Sequence, residues 1–157
     1  MAKAPFFARR RAAQLVDEAH AKDERGDQAG AWQLLEQALK EDPHSFDAEF
    51  LFGRIANDRN NFDIGALHLE RATALNPKAA HAFGELGRAY HQLGRRGEAE
   101  AAYTQSLALK ADPYTMVNFA TLMRDTGRFG EATKLYEQAI ATGGLDAETS
   151  AKVRAML

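Results

Sequence analysis

A pattern of small and large residues repeats through this chain of 157 residues at an interval of about 34. One position of the pattern, expected at a tight turn, recurs at spacings of 34, 34 and 33 residues: Gly26, Asn60, Gly94 and Gly127. A small residue lies seven positions before each of these, at Ala19, Gly53, Gly87 and Ala120. A period of this length means that each copy forms the same supersecondary unit and that neighbouring copies bury a shared core. The period therefore constrains the fold more than any other feature.

Residues 80–109 show what one copy of the pattern forms. Leu86 and Tyr90 lie four residues apart, so they share one face of a helix, and Tyr103 has the same relation to Leu107 in a second helix. Small residues between these large ones allow two helices to approach closely while the large side chains fill the gaps. The pattern predicts a tight helical hairpin.

The third copy carries most fully the residues on which a family resemblance rests: Phe83, Leu86, Gly87, Tyr90, Ala99 and Tyr103. Together with the turn glycines and the prolines that end the first three copies, this pattern resembles the tetratricopeptide repeat family. The resemblance implies an all-α fold, a right-handed α-solenoid of four helix-turn-helix repeats followed by a C-terminal helix. The expected divisions are a basic flexible tail, four repeats and a capping helix, at residues 1–11, then 12–45, 46–79, 80–112 and 113–145, and finally 146–157.

Helices are predicted at residues 10–25, 29–41, 46–59, 63–75, 79–93, 96–110, 113–126 and 129–142. Asn60 replaces the turn glycine of the second repeat, and asparagine tolerates a left-handed backbone better than most residues. Asp63 is expected to cap the fourth helix, and Asp146 is expected to cap the last one.

The composition excludes several classes of function. The net charge of −2 is too small to imply a nucleic-acid partner, and the absence of cysteine excludes a disulfide framework and a thiolate metal site. No apolar run approaches the roughly 18 residues of a membrane-spanning helix, and the first residues do not have the order of a secretory signal. We therefore predict a cytoplasmic protein without a membrane span.

The start of the chain differs in charge from the rest. Residues 1–11 carry a net charge of +4, from Lys3 and the arginines Arg9–Arg11. Pro5 is expected to block an early helix start, which favours a mobile tail. Phe6 and Phe7 beside these arginines suit docking on an acidic partner or a lipid surface. A frayed end or an extension of the first helix is the simpler interpretation.

No catalytic or cofactor-binding constellation is present in the sequence. None of the serines lies in a Gly-x-Ser-x-Gly elbow, no pair of histidines has the His-Glu-x-x-His spacing, and no phosphate-binding glycine loop occurs. The five histidines are interpreted as surface or groove residues: His20, His44, His68, His81 and His91. We predict no enzymatic activity, no metal and no cofactor.

In the family that this chain resembles, the first helices of the repeats line a concave groove. Carried over to this sequence, the predicted contact positions are Phe50, Leu51, Arg54, Asn57, Glu85, Arg88, His91, Asn118, Thr121 and Arg124. Arg54 and Arg88 occupy equivalent positions and suit a carboxylate of a peptide, with Phe50 as apolar contact beside them. The alternative is that the two arginines pair with Asp58 or Glu85 of the chain itself, which leaves the groove wall neutral.

The sequence thus predicts a non-catalytic module that binds a peptide or partner protein in its concave groove. An alternative is the N-terminal recognition arm of a larger enzyme, such as a glycosyltransferase, hydroxylase or sulfotransferase, continuing past Leu157. A third interpretation is self-association through the uncovered faces of the end repeats.

Overall fold

The structure is a computed structural model that describes residues 4–157. Over these residues it consists of helices joined by short loops, with no strand. The helices are α1 (Phe6–Glu24), α2 (Gln28–Glu41), α3 (Phe46–Asp58), α4 (Phe62–Leu75), α5 (Ala80–Gln92), α6 (Arg96–Leu109), α7 (Pro113–Asp125), α8 (Phe129–Thr142) and α9 (Ala147–Ala155). The prediction of an all-α fold is confirmed.

Consecutive helices pair as hairpins, α1 with α2, α3 with α4, α5 with α6 and α7 with α8. The chain divides into two compact units. Unit 1 is Met1–Lys78 and holds the first two hairpins, and unit 2 is Ala79–Leu157 and holds the other two with α9. In unit 1 the first helices α1 and α3 lie in contact, and in unit 2 α5 and α7 do so.

Glycine at the small position lets the helices of a hairpin approach each other. In unit 1, a Cβ added at Gly53 would lie 2.5 Å from Leu69 Cγ. In unit 2, a Cβ at Gly87 would lie 2.6 Å from Tyr103 Cδ1. Both distances are far below van der Waals contact, so the large side chain of the second helix occupies the space that the glycine leaves. The predicted alternation of small and large residues therefore has its expected role.

The turns inside the hairpins need a left-handed backbone. The φ angles at Gly26, Gly94 and Gly127 are 81°, 73° and 78°, and Asn60 has φ 59° at the equivalent position. Asparagine is among the few non-glycine residues that adopt this conformation. The turn positions predicted from the period are all confirmed.

The bounds of α2 to α8 agree with the prediction within one residue, but α1 begins at Phe6, four residues early. Pro5 is its N-cap rather than a block, since a proline without an N–H is tolerated at the start of a helix. Residues 6–11, which the predicted divisions place in a flexible tail, are therefore the first turns of α1, as the other interpretation of this segment, an extension of the first helix, predicts. Residues 1–3 of that predicted tail lie outside the described residues.

Of the two predicted N-caps, one is wrong and one is confirmed. Asn61 is the N-cap of α4, without a side-chain bond, and Asp63 lies in the first turn of that helix. Asp146 caps α9 and accepts a hydrogen bond from Thr149 N at 2.8 Å. Helix α9 contacts α8 through a face on which Val153 is buried.

Candidate functional site

A cleft in unit 1 lies between the first helices of its two repeats. It has a volume of about 260 Å³ and is open to solvent. We call it the α1–α3 cleft, and its lining residues are Ala13, Val16, Asp17 and His20 from α1, and Asp47, Phe50, Leu51 and Arg54 from α3. The two sets come from equivalent positions 34 residues apart, and within each set the residues share a helix face.

The structure brings three of the predicted contact residues together in this cleft. Phe50 is half-buried and stacks on Phe46 with ring centroids 5.9 Å apart. Leu51 is 4% exposed and contributes only its edge to the cleft. With Val16, these side chains give the cleft an apolar floor, while Arg54 lies at its far end.

Arg54 is neutralised by carboxylates of the chain. Its Nη2 lies 2.7 Å from Asp23 Oδ2 on α1, and its Nη1 lies 3.6 Å from Asp58 Oδ2. The sequence identified Asp58 as a candidate partner but missed Asp23, whose side chain is only 9% exposed. Asp23 lies 31 residues before Arg54, so the pair joins two repeats. Among the described residues of unit 1, Arg54 therefore does not form the positive centre that was expected in the groove.

Two further carboxylates make the cleft acidic. Asp17 and Asp47 line it from opposite helices, and among the described residues neither has an ion-pair partner. His20 Nδ1 lies 3.5 Å from Glu24 Oε1 at the edge of the cleft. Sequence reasoning missed Asp47, although the period places it 34 residues after Ala13, which also lines the cleft. The arrangement suits a cationic group beside an apolar one.

Asn57 does not belong to the exposed surface on which it was predicted. It is 2% exposed, and its Oδ1 occupies the space where a Cβ of Gly65 would stand. Asn57 therefore packs between α3 and α4, and its side chain is not accessible to a ligand. The spacing predicted its helix correctly, but the side chain enters the space that Gly65 leaves on α4.

In unit 2, several predicted contact residues are held by the chain itself. Arg88 Nη2 lies 3.0 Å from Glu85 Oε2 on the same helix, and His91 Nε2 lies 3.1 Å from Asp125 Oδ2 across α5 and α7. Thr121 Oγ1 donates to Val117 O at 2.9 Å. The two remaining predicted residues, Asn118 and Arg124, are half-buried on α7.

The two first helices of unit 2 are close together near Gly84. A Cβ at this position would lie 2.9 Å from Thr115 Oγ1 on α7. Val16, which holds the same place on α1 in unit 1, instead lines the α1–α3 cleft. The same position of the repeat is thus a close helix contact in one unit and the floor of a cleft in the other.

A buried polar pair in unit 1 was missed by the sequence analysis. His68 Nδ1 lies 2.5 Å from Glu49 Oε2, with both side chains almost fully buried, and the His68 ring stacks on Phe52 at 4.0 Å. The interpretation of His68 as a surface or groove residue was wrong. Within residues 4–157, no three histidine or carboxylate side chains converge as a metal ion would require.

Comparisons with known proteins agree with the helical-repeat class that the fold defines. Family models described as tetratricopeptide repeat match residues 50–114 and residues 114–143. The BBSome complex member bbs-4 of Caenorhabditis elegans is 29% identical over 119 residues, which are 73% of this chain and 26% of that protein. The chain thus spans about a quarter of the length of this relative.

Solved structures with the same fold include MamA and pilF. A crystal structure of MamA has a TM-score of 0.77 at 22% identity and covers 90% of this chain and 81% of that chain. MamA from Desulfovibrio magneticus RS-1 has a TM-score of 0.78 at 18% identity, with coverages of 83% and 74%. Pseudomonas aeruginosa pilF has a TM-score of 0.76 at 18% identity, with coverages of 92% and 71%. At these identities the likeness shows the fold alone.

The chain belongs to the tetratricopeptide repeat family. Two family matches that together run from residue 50 to residue 143 support this assignment, as do the four helical hairpins of the structure. The family and its relatives support a protein-interaction module. Among the described residues, no helix has the length and apolar character needed to cross a bilayer.

Proposed function

We propose that this chain is a non-catalytic protein-binding module and that the α1–α3 cleft holds a segment of its partner. The relative bbs-4 is by its name a member of a complex, which supports an assembly role. The observation that carries the proposal is the cleft itself, an open apolar floor between two first helices with charged side chains at its edges. The predicted positions in unit 2 are proposed as further contacts.

The size of the cleft favours a polypeptide segment as its ligand. Cofactor and small-molecule pockets usually have volumes of about 300–1,000 Å³ and bury most of the ligand. At about 260 Å³, the α1–α3 cleft is smaller and open, so it accommodates one or two side chains of a peptide or of a partner surface. Such a shallow apolar cleft with a polar rim is typical of a protein interface.

The charges of the cleft define the kind of side chain that it accepts. The sequence alone suggested that Arg54 binds a carboxylate, but the guanidinium already contacts Asp23 and Asp58. Asp17 and Asp47 are left to face the ligand. We therefore propose a lysine or arginine next to a large apolar residue as the occupant, with the cation between the two aspartates and the apolar side chain on Phe50.

A titration with matched peptides tests this proposal. The probes are an amidated peptide of alternating leucine and lysine and its counterpart of alternating leucine and glutamate. We expect the basic peptide to shift the backbone amide resonances of α1 and α3 in the full chain. The variant D17N/D47N should bind it about ten-fold more weakly, since each pairing with a cation at such a surface contributes up to about 1 kcal/mol. The control Asp63→Asn removes an exposed carboxylate from α4 and should bind as the wild type does.

Different outcomes test where the peptide binds and which charge the cleft prefers. Binding of the acidic peptide at α1 and α3 would keep the cleft as the site and refute the preference for a cation. Shifts confined to α2 and α4, or unchanged binding by a variant Ala13→Trp that fills the cleft, would refute the cleft as the site. Loss of binding in Ala13→Trp, with the circular dichroism spectrum unchanged, supports it.

The alternatives from the sequence stay predictions. A recognition arm of a larger enzyme is tested by whether the reading frame continues past Leu157 into a catalytic domain. Self-association through the end repeats is tested by light scattering over a range of protein concentrations.

A further inference from the structure

Helix α1 is longer than the other first helices of the repeats, and its extra length lies at its N-terminus. It has 19 residues, whereas α3, α5 and α7 have 13 each. By the period, the first residue of α3, Phe46, corresponds to Ala12, which is also the first buried residue of α1. Residues 6–11 therefore precede the packed part of the hairpin. We call them the N-terminal extension.

The N-terminal extension exposes two aromatic rings to solvent. Phe6 is 63% exposed and Phe7 is 79% exposed, and their rings meet edge to face with centroids 5.6 Å apart. Among the described residues, neither ring inserts into the hairpin below it. Large exposed apolar side chains that lie together, rather than singly, mark surfaces for association with a protein or a membrane.

The N-terminal extension carries basic residues at the end of the helix where acidic residues are usual. Three consecutive arginines, Arg9–Arg11, lie near the positive end of the helix dipole, where acidic residues are normally favoured. The first turn contains no acidic residue, and Pro5 provides no side-chain cap. Arg11 Nε contacts Glu41 Oε1 at 3.2 Å, but Arg9 and Arg10 have no ion-pair partner among residues 4–157. An anionic surface at this end would compensate for all of these features.

The positions of the side chains around the helix suit a partner that has charged groups above an apolar layer. Successive residues of a helix are 100° apart, so Arg10 projects between Phe6 and Phe7 on the side away from buried Ala12. Two rings and a cation on one side of a helix match the interface of an anionic bilayer, where aromatic rings enter the headgroup region and arginines reach phosphates.

We propose that the N-terminal extension binds reversibly to the surface of an anionic lipid bilayer. A surface of six residues is small for a specific protein interface, which usually buries about 800 Å² on each partner. A bilayer presents phosphates above an apolar layer over its whole area, so a short segment engages both at once. Asp17, which lines the α1–α3 cleft, and Glu18 are the next exposed carboxylates of α1, so the contact is confined to the first two turns and the helix meets the surface by its end.

Vesicle flotation of the full chain tests this proposal. The probes are vesicles of phosphatidylcholine alone and vesicles in which roughly a third of the lipid is phosphatidylglycerol. We expect binding only to the anionic vesicles, and we expect it to weaken as salt screens the arginines. The variant R9Q/R10Q should reduce the partition coefficient by about five-fold to 25-fold, since one basic residue near an anionic surface changes it about five-fold and Arg9 lies further from the rings than Arg10. The variant F6A/F7A should reduce it at least ten-fold while α1 keeps its helicity.

The control R96Q/K134Q changes the net charge by the same amount at two exposed positions of unit 2 and should bind as the wild type does. Equal binding to neutral and anionic vesicles, or no binding to either, would overturn the proposal. So would binding to a polyglutamate peptide without binding to vesicles, because this result assigns the extension to an acidic protein partner. Loss of binding in R96Q/K134Q equal to that in R9Q/R10Q would reduce the effect to net charge and also overturn it.

Discussion

At the scale of single residues, one tyrosine position has different surroundings in the two repeats of unit 2. Tyr136 OH lies 3.2 Å from Thr121 Oγ1, whereas Tyr103 OH is buried with no hydrogen-bond partner among the described residues. Burial raises the pKa of Tyr103, and the negative charge of Glu85 raises it further. The hydroxyl of Tyr103 therefore stays protonated but is poorly solvated.

We expect the two Tyr→Phe variants to differ in sign. Tyr103→Phe removes a hydroxyl that has lost its water, so it should leave the free energy of unfolding unchanged or raise it by up to about 1 kcal/mol. Tyr136→Phe removes a hydrogen bond and should lower it by about 0.5–1.5 kcal/mol. Urea unfolding at neutral pH measures both. A larger loss in Tyr103→Phe than in Tyr136→Phe would contradict this account of the two sites.

A second pair of substitutions tests the close approach of α5 and α6. In Gly87→Ala the new methyl group would overlap the Tyr103 ring, so we expect a loss of about 1–3 kcal/mol. In Gly97→Ala the methyl group meets open space within α6, and we expect a gain of up to about 1 kcal/mol from the better helix former. Thermal unfolding followed by circular dichroism compares the two variants. Equal melting temperatures would show that the small position does not control packing.

The residues predicted correctly from the sequence are those whose role depends on spacing. Gly53 and Gly87 are fixed by the period and by steric exclusion within one hairpin. The partners of Arg54 and His68 depend instead on how side chains from different helices meet. Asp23 lies 31 residues from Arg54, and Glu49 lies 19 residues from His68. Neither separation equals the period, so no repeat pattern indicates these pairs.

At the scale of elements, the last helix depends on a charged cap. The hydrogen bonds that Asp146 accepts from the side chain and backbone of Thr149, and from Tyr114, lower its pKa from 3.8 to about 2. Tyr114 OH also accepts a hydrogen bond from Asp146 N at 3.1 Å, which joins the start of α9 to α7. The cap thus links local helix formation to packing within unit 2.

Because the cap is a titratable carboxylate, we expect the stability of α9 to depend on pH. Because the pKa of Asp146 is lower in the folded state, its ionised carboxylate stabilises the fold at pH values above 3.8, the ordinary pKa of the group. This contribution disappears as the pH falls toward about 2. We expect the amides of α9 to lose protection from hydrogen exchange between about pH 4 and pH 2, before those of α8. Asp146→Asn keeps the cap without its titration, so α9 should no longer respond to acid in this range beyond the rest of unit 2. Equal acid sensitivity of α9 in both proteins would contradict the role of Asp146.

The start of α1 shows why element boundaries are predicted less well at an end than between repeats. Each internal boundary is indicated by a proline, a turn residue or a cap that recurs one period later. The sequence before Ala12 has no such copy, and Pro5 was interpreted as preventing a helix that it in fact begins. Residues 6–11, for which the sequence left a tail and a helical extension open, carry three arginines and two exposed aromatic rings.

At the scale of the whole molecule, the period determines the fold class but only part of the site. Within unit 1 the two first helices present equivalent positions to the cleft, so the sequence identified the face of α3 on which Phe50 and Arg54 lie. It could not show that the repeat position shared by Val16 and Gly84 lines a cleft in unit 1 but is a close helix contact in unit 2. The difference comes from the bulk and pairing of individual side chains, which vary between repeats that share one backbone.

The stability of a repeat protein is a sum over hairpins and the interfaces between neighbours, so one disrupted hairpin should weaken the repeat beside it. Ala99 is fully buried in α6, whereas Ala101 on the same helix is exposed. Ala99→Arg places an unpaired charge in the contact with α5, and we expect it to lower the free energy of unfolding by at least about 3 kcal/mol. Because α6 also contacts α7, the amides of α5 to α8 should lose protection from hydrogen exchange together.

Ala101→Arg adds the same charge to the solvent-facing side and should melt within a few degrees of the wild type. Protection that is lost only in α5 and α6 of Ala99→Arg would show that the hairpins of unit 2 are stable independently of each other.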